Sequence, residues 1–346
     1  MKALRRFEKS PRAARIEDVA ISEPKEGEVL LKVSFCGICG SDLHAYLNHS
    51  GYESVLPQVT FGHEWSGTVE SVGPGTEGWS EGDLATMIAI QATDPGCRYV
   101  KEGWPQLSPS RRVQGLHLDG GMAEYIAVDQ QFLVPLPHGL DMQAAALTEP
   151  LSVADHCISN CSDIGQGDRV VVSGPGIIGM LSAIVARYKG AEVVVSGTVA
   201  DEKVRLSAAR KIGFQTIQVG EGCPPLDEQV KGFFGGEADA LVEASGAGVA
   251  LASSWKTVRT DGKVTVVALY GQDVTMDMTQ FVRKQISIQT SYGSALPSYE
   301  EALVLLKDGV IPVSDLVKIY ELADGISAFT DAEKQEVMKP LLNCGA

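Results

Sequence analysis

The spacing of apolar residues changes partway along this chain. Residues 28–34 alternate, with Val29, Leu31 and Val33 set against charged or small neighbours after a turn at Pro24 to Gly27, which predicts a strand with one buried face. Residues 1–7, 61–72 and 122–128 read the same way. Gly73-Pro74-Gly75, Gly82-Asp83, Gly120-Gly121 and Pro135-Leu136-Pro137 punctuate these runs as turns. Up to about residue 150 the pattern predicts a β-rich domain of short strands and long loops, a scaffold that holds ligand side chains firmly at strand ends.

From Asp168 onward strands and helices alternate. Residues 169–173, R-V-V-V-S, are apolar without interruption, as in a strand covered on both faces, and Gly174-Pro175-Gly176-Ile177-Ile178-Gly179 follows directly. Residues 180–188 then take helical spacing and 192–196 form the next strand. Further strands are predicted at 238–243, 263–269 and 284–289, with a helix at 298–307 capped by Ser298. The acidic stretch 221–228, with Pro224-Pro225, reads as a solvated loop. A bare G-x-G-x-x-G marks only a turn. Between a buried strand and a helix, its glycines permit a tight turn and close backbone approach, and the helix N-terminus offers free N–H groups to a pyrophosphate. Residues 174–179 are therefore the expected dinucleotide site.

Composition narrows the class. The 346 residues suffice for two domains, and 44% apolar with 21% charged residues is an ordinary globular balance. A net charge of −15 repels phosphate backbones and anionic lipid, which argues against nucleic-acid and membrane partners. Seven cysteines, an odd number without disulfide-like spacing, point to reduced thiols and a cytoplasmic setting. Residues 1–8 lack the apolar run of a signal peptide, and no stretch reaches the length of a membrane span.

The chemistry concentrates at residues 36–44, C-G-I-C-G-S-D-L-H, and at Gly62-His63-Glu64. Thiolate, imidazole and carboxylate together are a ligand set that zinc selects, and three protein ligands leave a position open for a substrate oxygen. A C-x-x-C is also compatible with a redox pair, and a lone histidine with a hydrogen-bonded core residue.

Five motifs carry a family resemblance: 36–44, G-H-E-x-x-G at 62–67, Gly82-Asp83, D-G-G-x-A-E-Y at 119–125 and E-P-L-S at 149–152. In that order, over essentially the whole chain, the sequence resembles the zinc-dependent medium-chain dehydrogenases/reductases, nearest their polyol (sorbitol) and threonine dehydrogenase branch. The resemblance implies an α/β fold with a discontinuous GroES-like catalytic domain at 1–153 and 292–346. A doubly wound parallel-sheet Rossmann domain would occupy 154–291, with chemistry in the cleft between the two. It implies Cys39 and His63 as zinc ligands, Glu64 and Glu149 as the carboxylates that ligate zinc or exchange with its water, and Cys36 as a small packed residue. Asp42 matches the residue that orients the ligand histidine. Ser41 and His44 match a relay in which a hydroxyl takes the substrate proton and passes it, through the cofactor ribose, to a surface imidazole. His49, His117, His138 and His156 have no such support, though His117 is placed to face substrate. Glu53, Trp65 and Trp104 are pocket candidates by position.

Two departures from the family matter. Where relatives hold a structural zinc with four cysteines, this chain has Asp94, Cys97, Val100 and Ser108; one thiolate cannot close a four-ligand site, so one catalytic zinc and no structural zinc are expected. Residues 331–346 depart from the family's closing strand, and Cys344 is expected to be a mobile thiol.

An acid at the end of the second strand of the dinucleotide fold would bind the adenosine ribose and repel a 2′-phosphate. Here Gly197 takes its place, which favours NADP over NAD, with Thr198, Lys203 and Arg205 as phosphate partners; Asp201 and Glu202 argue the other way. Ser245, Ala268 and Ser291, at later strand ends, are expected beside the cofactor. Cys157 and Cys161 read as packed core rather than a metal pair. The resemblance implies a secondary alcohol and its ketone as substrates, of polyol, sugar or hydroxy-acid type, and a homodimer or homotetramer assembled through the cofactor-domain sheet. A zinc-free NADPH quinone or enone reductase, and a non-catalytic crystallin-like or sensor nucleotide binder, share the fold and remain as alternatives.

Overall fold

Alternation along Glu28–Gly37 builds the central strand of the first unit: Val29, Leu31 and Val33 are fully buried, each contributing about 1.5–3 kcal/mol of burial. This computed structural model describes residues 1–345 and divides them into two compact units. The first comprises Met1–Ser152, Ser294–Gly309 and Val317–Ala346. Its main sheet runs Val317–Glu321, Lys339–Asn343, Glu28–Gly37, Glu64–Val72, Leu84–Met87, Leu133–Pro135, with Tyr125–Asp129 also paired to Glu28–Gly37. Phe61, Trp65, Met87 and Phe329 fill the core, where the Phe329 ring lies 4.7 Å from Tyr46 and 5.5 Å from Phe61.

Two expectations for the chain's last residues fail here. Lys339–Asn343 is a closing strand, antiparallel to Glu28–Gly37 with Leu342 opposite Cys36, because Leu341 and Leu342, on opposite faces, are both fully buried there. Cys344 follows it into the core at 1% exposure, its sulfur 3.7 Å from the Gly121 carbonyl, and is therefore a fixed thiol. Burial pushes that thiol well up from its ordinary pKa.

The second unit comprises Val153–Gly293 and the short excursion Val310–Leu316, tied on by Lys211 Nζ to Asp315 Oδ1 at 2.6 Å. Its six strands are all parallel, in the order Gln215–Val219, Glu192–Thr198, Arg169–Ser173, Ala238–Glu243, Val258–Val266, Ser287–Thr290. Val170, Val171 and Val172 are fully buried, as helices on both faces require. The α/β fold, a β-rich unit and a doubly wound parallel sheet, is thus the one expected.

Local boundaries differ where turn chemistry was misread. Part of the acidic stretch 221–228 is the start of a helix, Leu226–Phe234: Pro225 supplies the N-cap backbone, and Asp227 and Glu228 complement the first-turn dipole. The helix expected from Ser298 begins earlier, at Leu296, since Pro297 is tolerated in a first turn. Residues 284–286 are the turn that follows helix Met278–Arg283, and 287–289 belong to an edge strand, Ser287–Thr290, exposed along its length. Among the described residues no helix is long and apolar enough to cross a membrane.

Candidate functional site

Strand Glu28–Gly37 runs directly into helix Gly40–Tyr46, and Cys39 is the extended residue at that helix's N-cap. Asp42, in its first turn, is fully buried and does three things. Its Oδ2 accepts the Cys39 N–H (3.0 Å), its Oδ1 accepts the Gly62 N–H (3.3 Å), and the same Oδ1 faces His63 Nδ1 at 3.7 Å. One carboxylate thus fixes the helix start against the Gly62-His63-Glu64 segment and places a negative charge beside the imidazole. Gly62 must be glycine here: its φ is +98°, and a Cβ would fall 2.7 Å from Met122 Cγ.

Strand pairing does the rest. Gly37 lies opposite Glu64 in the ladder, so the absent Gly37 side chain leaves space for the Glu64 carboxylate. Donor atoms of Cys39, His63 and Glu64 all lie within 4.8 Å of one another. Ser41 Oγ sits 3.3 Å from His63 Nε2. Beneath them Lys339 Nζ pairs with the Glu64 carboxylate and donates to the Ile38 carbonyl at 2.9 Å. Lys339 and Glu64 are each 1% exposed, an ion pair wholly removed from water.

The charges show what the cluster needs. Burial pushes Asp42 up from its ordinary value, and burial pushes Glu149 up to about 7 despite the pull of His63. Burial also works against a charged His63, yet Asp42 and Cys39 outweigh it and hold the imidazole well above its ordinary value. For Lys339, burial is again overcome, by Glu64 and Cys39. Acids pushed up by burial and a histidine held up by its acidic neighbours mark a pocket short of positive charge. A divalent cation on a sulfur, nitrogen and oxygen set answers that shortage, so the residues fit zinc.

Glu149, 8% exposed near the start of helix Thr148–Asp155, stands outside the 4.8 Å group but within electrostatic reach of His63. Its backbone carbonyl accepts the Ser152 hydroxyl (2.7 Å), which also meets Ser294 Oγ at 2.7 Å. His44, on the Gly40–Tyr46 helix, is exposed, and its Nδ1 lies 2.8 Å from His49 Nδ1. His117 accepts the Val113 N–H at Nδ1 (3.0 Å) and meets Ser54 Oγ at Nε2 (3.2 Å). Trp65 does not line a pocket. Strand alternation turns it from the Glu64 side into the core, fully buried, with its Nε1 donating to Gln114. The Glu53 carboxylate closes a turn on the Gly51 N–H, and Trp104 is 36% exposed. Cys36 is fully buried.

Residues 94–108 fold around a short helix, Arg98–Lys101, capped by Cys97; Asp94 Oδ1 accepts the Gly96 N–H (2.8 Å) and Ser108 is buried. Among the described residues Cys39, His63 and Glu64 are the one group with metal-holding proximity.

Lys339 escaped the sequence reading. The signal was faint: a single lysine heading the apolar run Pro340-Leu341-Leu342.

In the second unit, Arg169–Ser173 ends in Gly174, whose φ is +100° and whose Cβ would fall 2.6 Å from Ser245 Cα. Gly176 caps helix Ile177–Tyr188, Ile177 and Ile178 sit half-buried in its first turn, and a Cβ at Gly179 would collide with the Gly174 carbonyl. The first N–H groups of any helix lack partners within it, which is the feature phosphate binding uses. Ser245, Ala268 and Ser291 follow the ends of three strands of the same sheet, and Ser245 is fixed through its N–H (2.9 Å) and hydroxyl on the buried Glu243. Gly197 is buried against Pro175 and Leu206, and Lys203 is exposed. Asp201, a residue read from the sequence only as opposing charge, ties this loop together. It accepts the Thr198 N–H (2.9 Å) and hydroxyl (2.8 Å), and pairs with Arg205 at 3.1 Å.

Residues 25–138 match the family described as alcohol dehydrogenase GroES-like domain, and residues 178–308 that described as zinc-binding dehydrogenase. The chain is 32% identical over 350 residues to a sorbitol dehydrogenase of Halalkalibacterium halodurans, covering 99% of both. Among solved structures it is similar to a 2R,3R-butanediol dehydrogenase from Bacillus subtilis (TM-score 0.89, 28% identity, 99% of both chains). It is also similar to a zinc-binding dehydrogenase from Sinorhizobium meliloti 1021 bound to NADP (TM-score 0.88, 26% identity, 99% and 98% of the chains).

Proposed function

This chain belongs to the zinc-binding dehydrogenase family with an alcohol dehydrogenase GroES-like domain, and on that premise we propose that it interconverts a secondary alcohol of polyol, sugar or hydroxy-acid type and its ketone. The observation that carries the reading is the convergence of a half-buried Cys39 with the buried His63 and Glu64 within 4.8 Å. Those three would hold one catalytic zinc, with Glu149 as the adjoining carboxylate. When bound, zinc supplies a Lewis acid for the alcohol oxygen and the nicotinamide coenzyme a hydride acceptor.

The chain's own residues do the remaining work. Asp42 keeps His63 in one orientation, and Lys339 holds the Glu64 carboxylate in place. Ser41 Oγ, at the edge of the ligand cluster, takes the hydroxyl proton, and His44 hands it on. Gly174, Gly176 and Gly179 with Ile177 and Ile178 seat the pyrophosphate, and Ser245, Ala268 and Ser291 flank the rest of the coenzyme.

The coenzyme we propose is NADP, since Gly197 removes the acid that would repel a 2′-phosphate, leaving Thr198, Lys203 and Arg205 to receive it. The Asp201–Arg205 pair limits that preference. One thiolate among Asp94, Cys97, Val100 and Ser108 supports a single zinc per chain, which metal analysis tests. The exposed edge strand Ser287–Thr290 supports a homodimer or homotetramer, and seven unpaired cysteines among the described residues support a cytoplasmic setting. A screen of polyols, sugars and secondary alcohols against NADP and NAD tests the whole reading. Turnover of a secondary alcohol that chelation abolishes is expected; turnover surviving complete metal removal would refute it.

A further inference from the structure

His49 matches no family position, yet it meets His44, and the loop carrying it is built rather than loose. Arg6, 1% exposed, donates to Asn48 Oδ1 at 2.6 Å, and Asn48 takes a left-handed φ of +56° that turns the chain after the helix. The His49 N–H then donates to the His44 carbonyl (3.0 Å), and the Tyr52 N–H to the His49 carbonyl (3.3 Å). This returns His49 to His44, with 2.8 Å between the two Nδ1 atoms. Tyr52 stacks on the His44 ring, centroids 5.4 Å apart and planes at 22°, fixing its tilt. Two nitrogens at 2.8 Å share one proton, since two N–H groups cannot face each other at that distance.

We propose that His49 is the positioning partner of His44: it accepts the His44 Nδ1–H, leaving His44 Nε2 free as the base, and carries the proton onward to water. The inference rests on the relay role proposed above for Ser41 and His44. In alcohol oxidation one proton adds to His44 Nε2 while the Nδ1 proton crosses to His49 Nδ1, and water removes one proton from His49 Nε2. One proton enters, one leaves, and no electrons move; both rings are exposed and recover their starting tautomers by exchange with water. The groups facing His44 are the imidazole of His49 and the ring of Tyr52; the Glu53 carboxylate is turned to the Gly51 N–H. Burial, then the charge of His49, holds His44 below its ordinary pKa, which suits a base at neutral pH.

The test compares the parent enzyme with His49→Ala, His49→Gln and His44→Ala, following kcat for alcohol oxidation from about pH 5 to 9, with and without added imidazole. His49→Ala should lower kcat about tenfold, less than the ~100-fold expected for losing the base itself. Its acid limb should move to higher pH, because removing the His49 charge lets the His44 pKa rise, and imidazole should restore most of the rate. Histidine-ring NMR titration of the same proteins reads the coupling without turnover: the His44 signal should shift its midpoint upward in both His49 variants. An unchanged kcat profile together with an unchanged His44 titration would overturn the proposal. If His44→Ala also turns over normally, the relay reading of the site fails with it; if His44→Ala alone is impaired, only the role of His49 is lost.

Discussion

The two halves of the machinery are built on opposite plans. The proposed metal pocket draws Cys39, His63, Glu64, Glu149 and Lys339 from across the first unit, with Cys39 half-buried and the other four buried. The dinucleotide turn comes from one continuous strand, turn and helix, and in the Asp201–Arg205 ion pair of the same unit the arginine keeps part of its surface in water. Carboxylates make the same point. Glu149 is pushed by burial up to about 7, whereas Asp239 in the second unit is lowered to about 2, because Arg169 and Arg259 outweigh its burial. In the first region burial outweighs the positive charge beside Glu149, and in the second the arginines beside Asp239 outweigh its burial.

The sharpest way to break that contrast is to remove the sulfur. Cys39→Ala should abolish tight zinc retention and lower kcat/KM roughly 10⁴-fold, about 5 kcal/mol, while coenzyme affinity, measured by fluorescence titration, stays near the parent's. Loss of coenzyme affinity to the same degree would mean that the two regions are not independent.

Lys339→Met comes next. Leaving Glu64 buried without its counter-charge should cost about 3–5 kcal/mol in denaturant unfolding of the metal-free protein. The double variant Lys339→Met with Glu64→Gln should recover most of that loss, since the stranded charge is then gone. A single variant as stable as the parent would show that the pair contributes nothing.

Proton linkage sharpens the contrast further. A raised Glu149 pKa means that the metal-free fold holds a proton which the unfolded chain releases above about pH 4.5, so stability present at lower pH is lost as pH rises through about 7. His63, held above its ordinary 6.5, acts in the same direction, its contribution lost as pH rises through its folded value. Scanning calorimetry of metal-free protein should therefore show Tm several degrees lower at about pH 8 than at about pH 5. Added zinc should flatten the difference, and a metal-free Tm rising across that range would contradict the assignment.

The smallest effect belongs to the second region. Asp201→Asn should free Arg205 and Thr198 and shift the ratio of kcat/KM for NADP over NAD upward by about tenfold, with little change in stability. A shift toward NAD would show that Asp201 contacts the ribose instead.

Legibility followed the same division. The dinucleotide turn was readable because its determinants are neighbours: a valine run, glycines at fixed offsets and a helical pattern. Cys39, His63 and Glu64 were readable for the same reason, each lying inside a short motif. Lys339 was not, because its partner Glu64 lies 275 residues earlier and only the antiparallel pairing of Lys339–Asn343 with Glu28–Gly37 brings them together. Cys344 was misread with it, since a thiol at the end of an unrecognised strand looks free. Trp65 could have been placed correctly from alternation alone: beside a ligand on a strand, it must face the other side.

The distance between Glu64 and Lys339 along the chain also has a meaning in time. A ribosome adding about 5–20 residues per second needs tens of seconds to travel from one to the other. Through that interval Glu64 has no lysine partner, so the carboxylate takes up its final setting only after synthesis has passed residue 339.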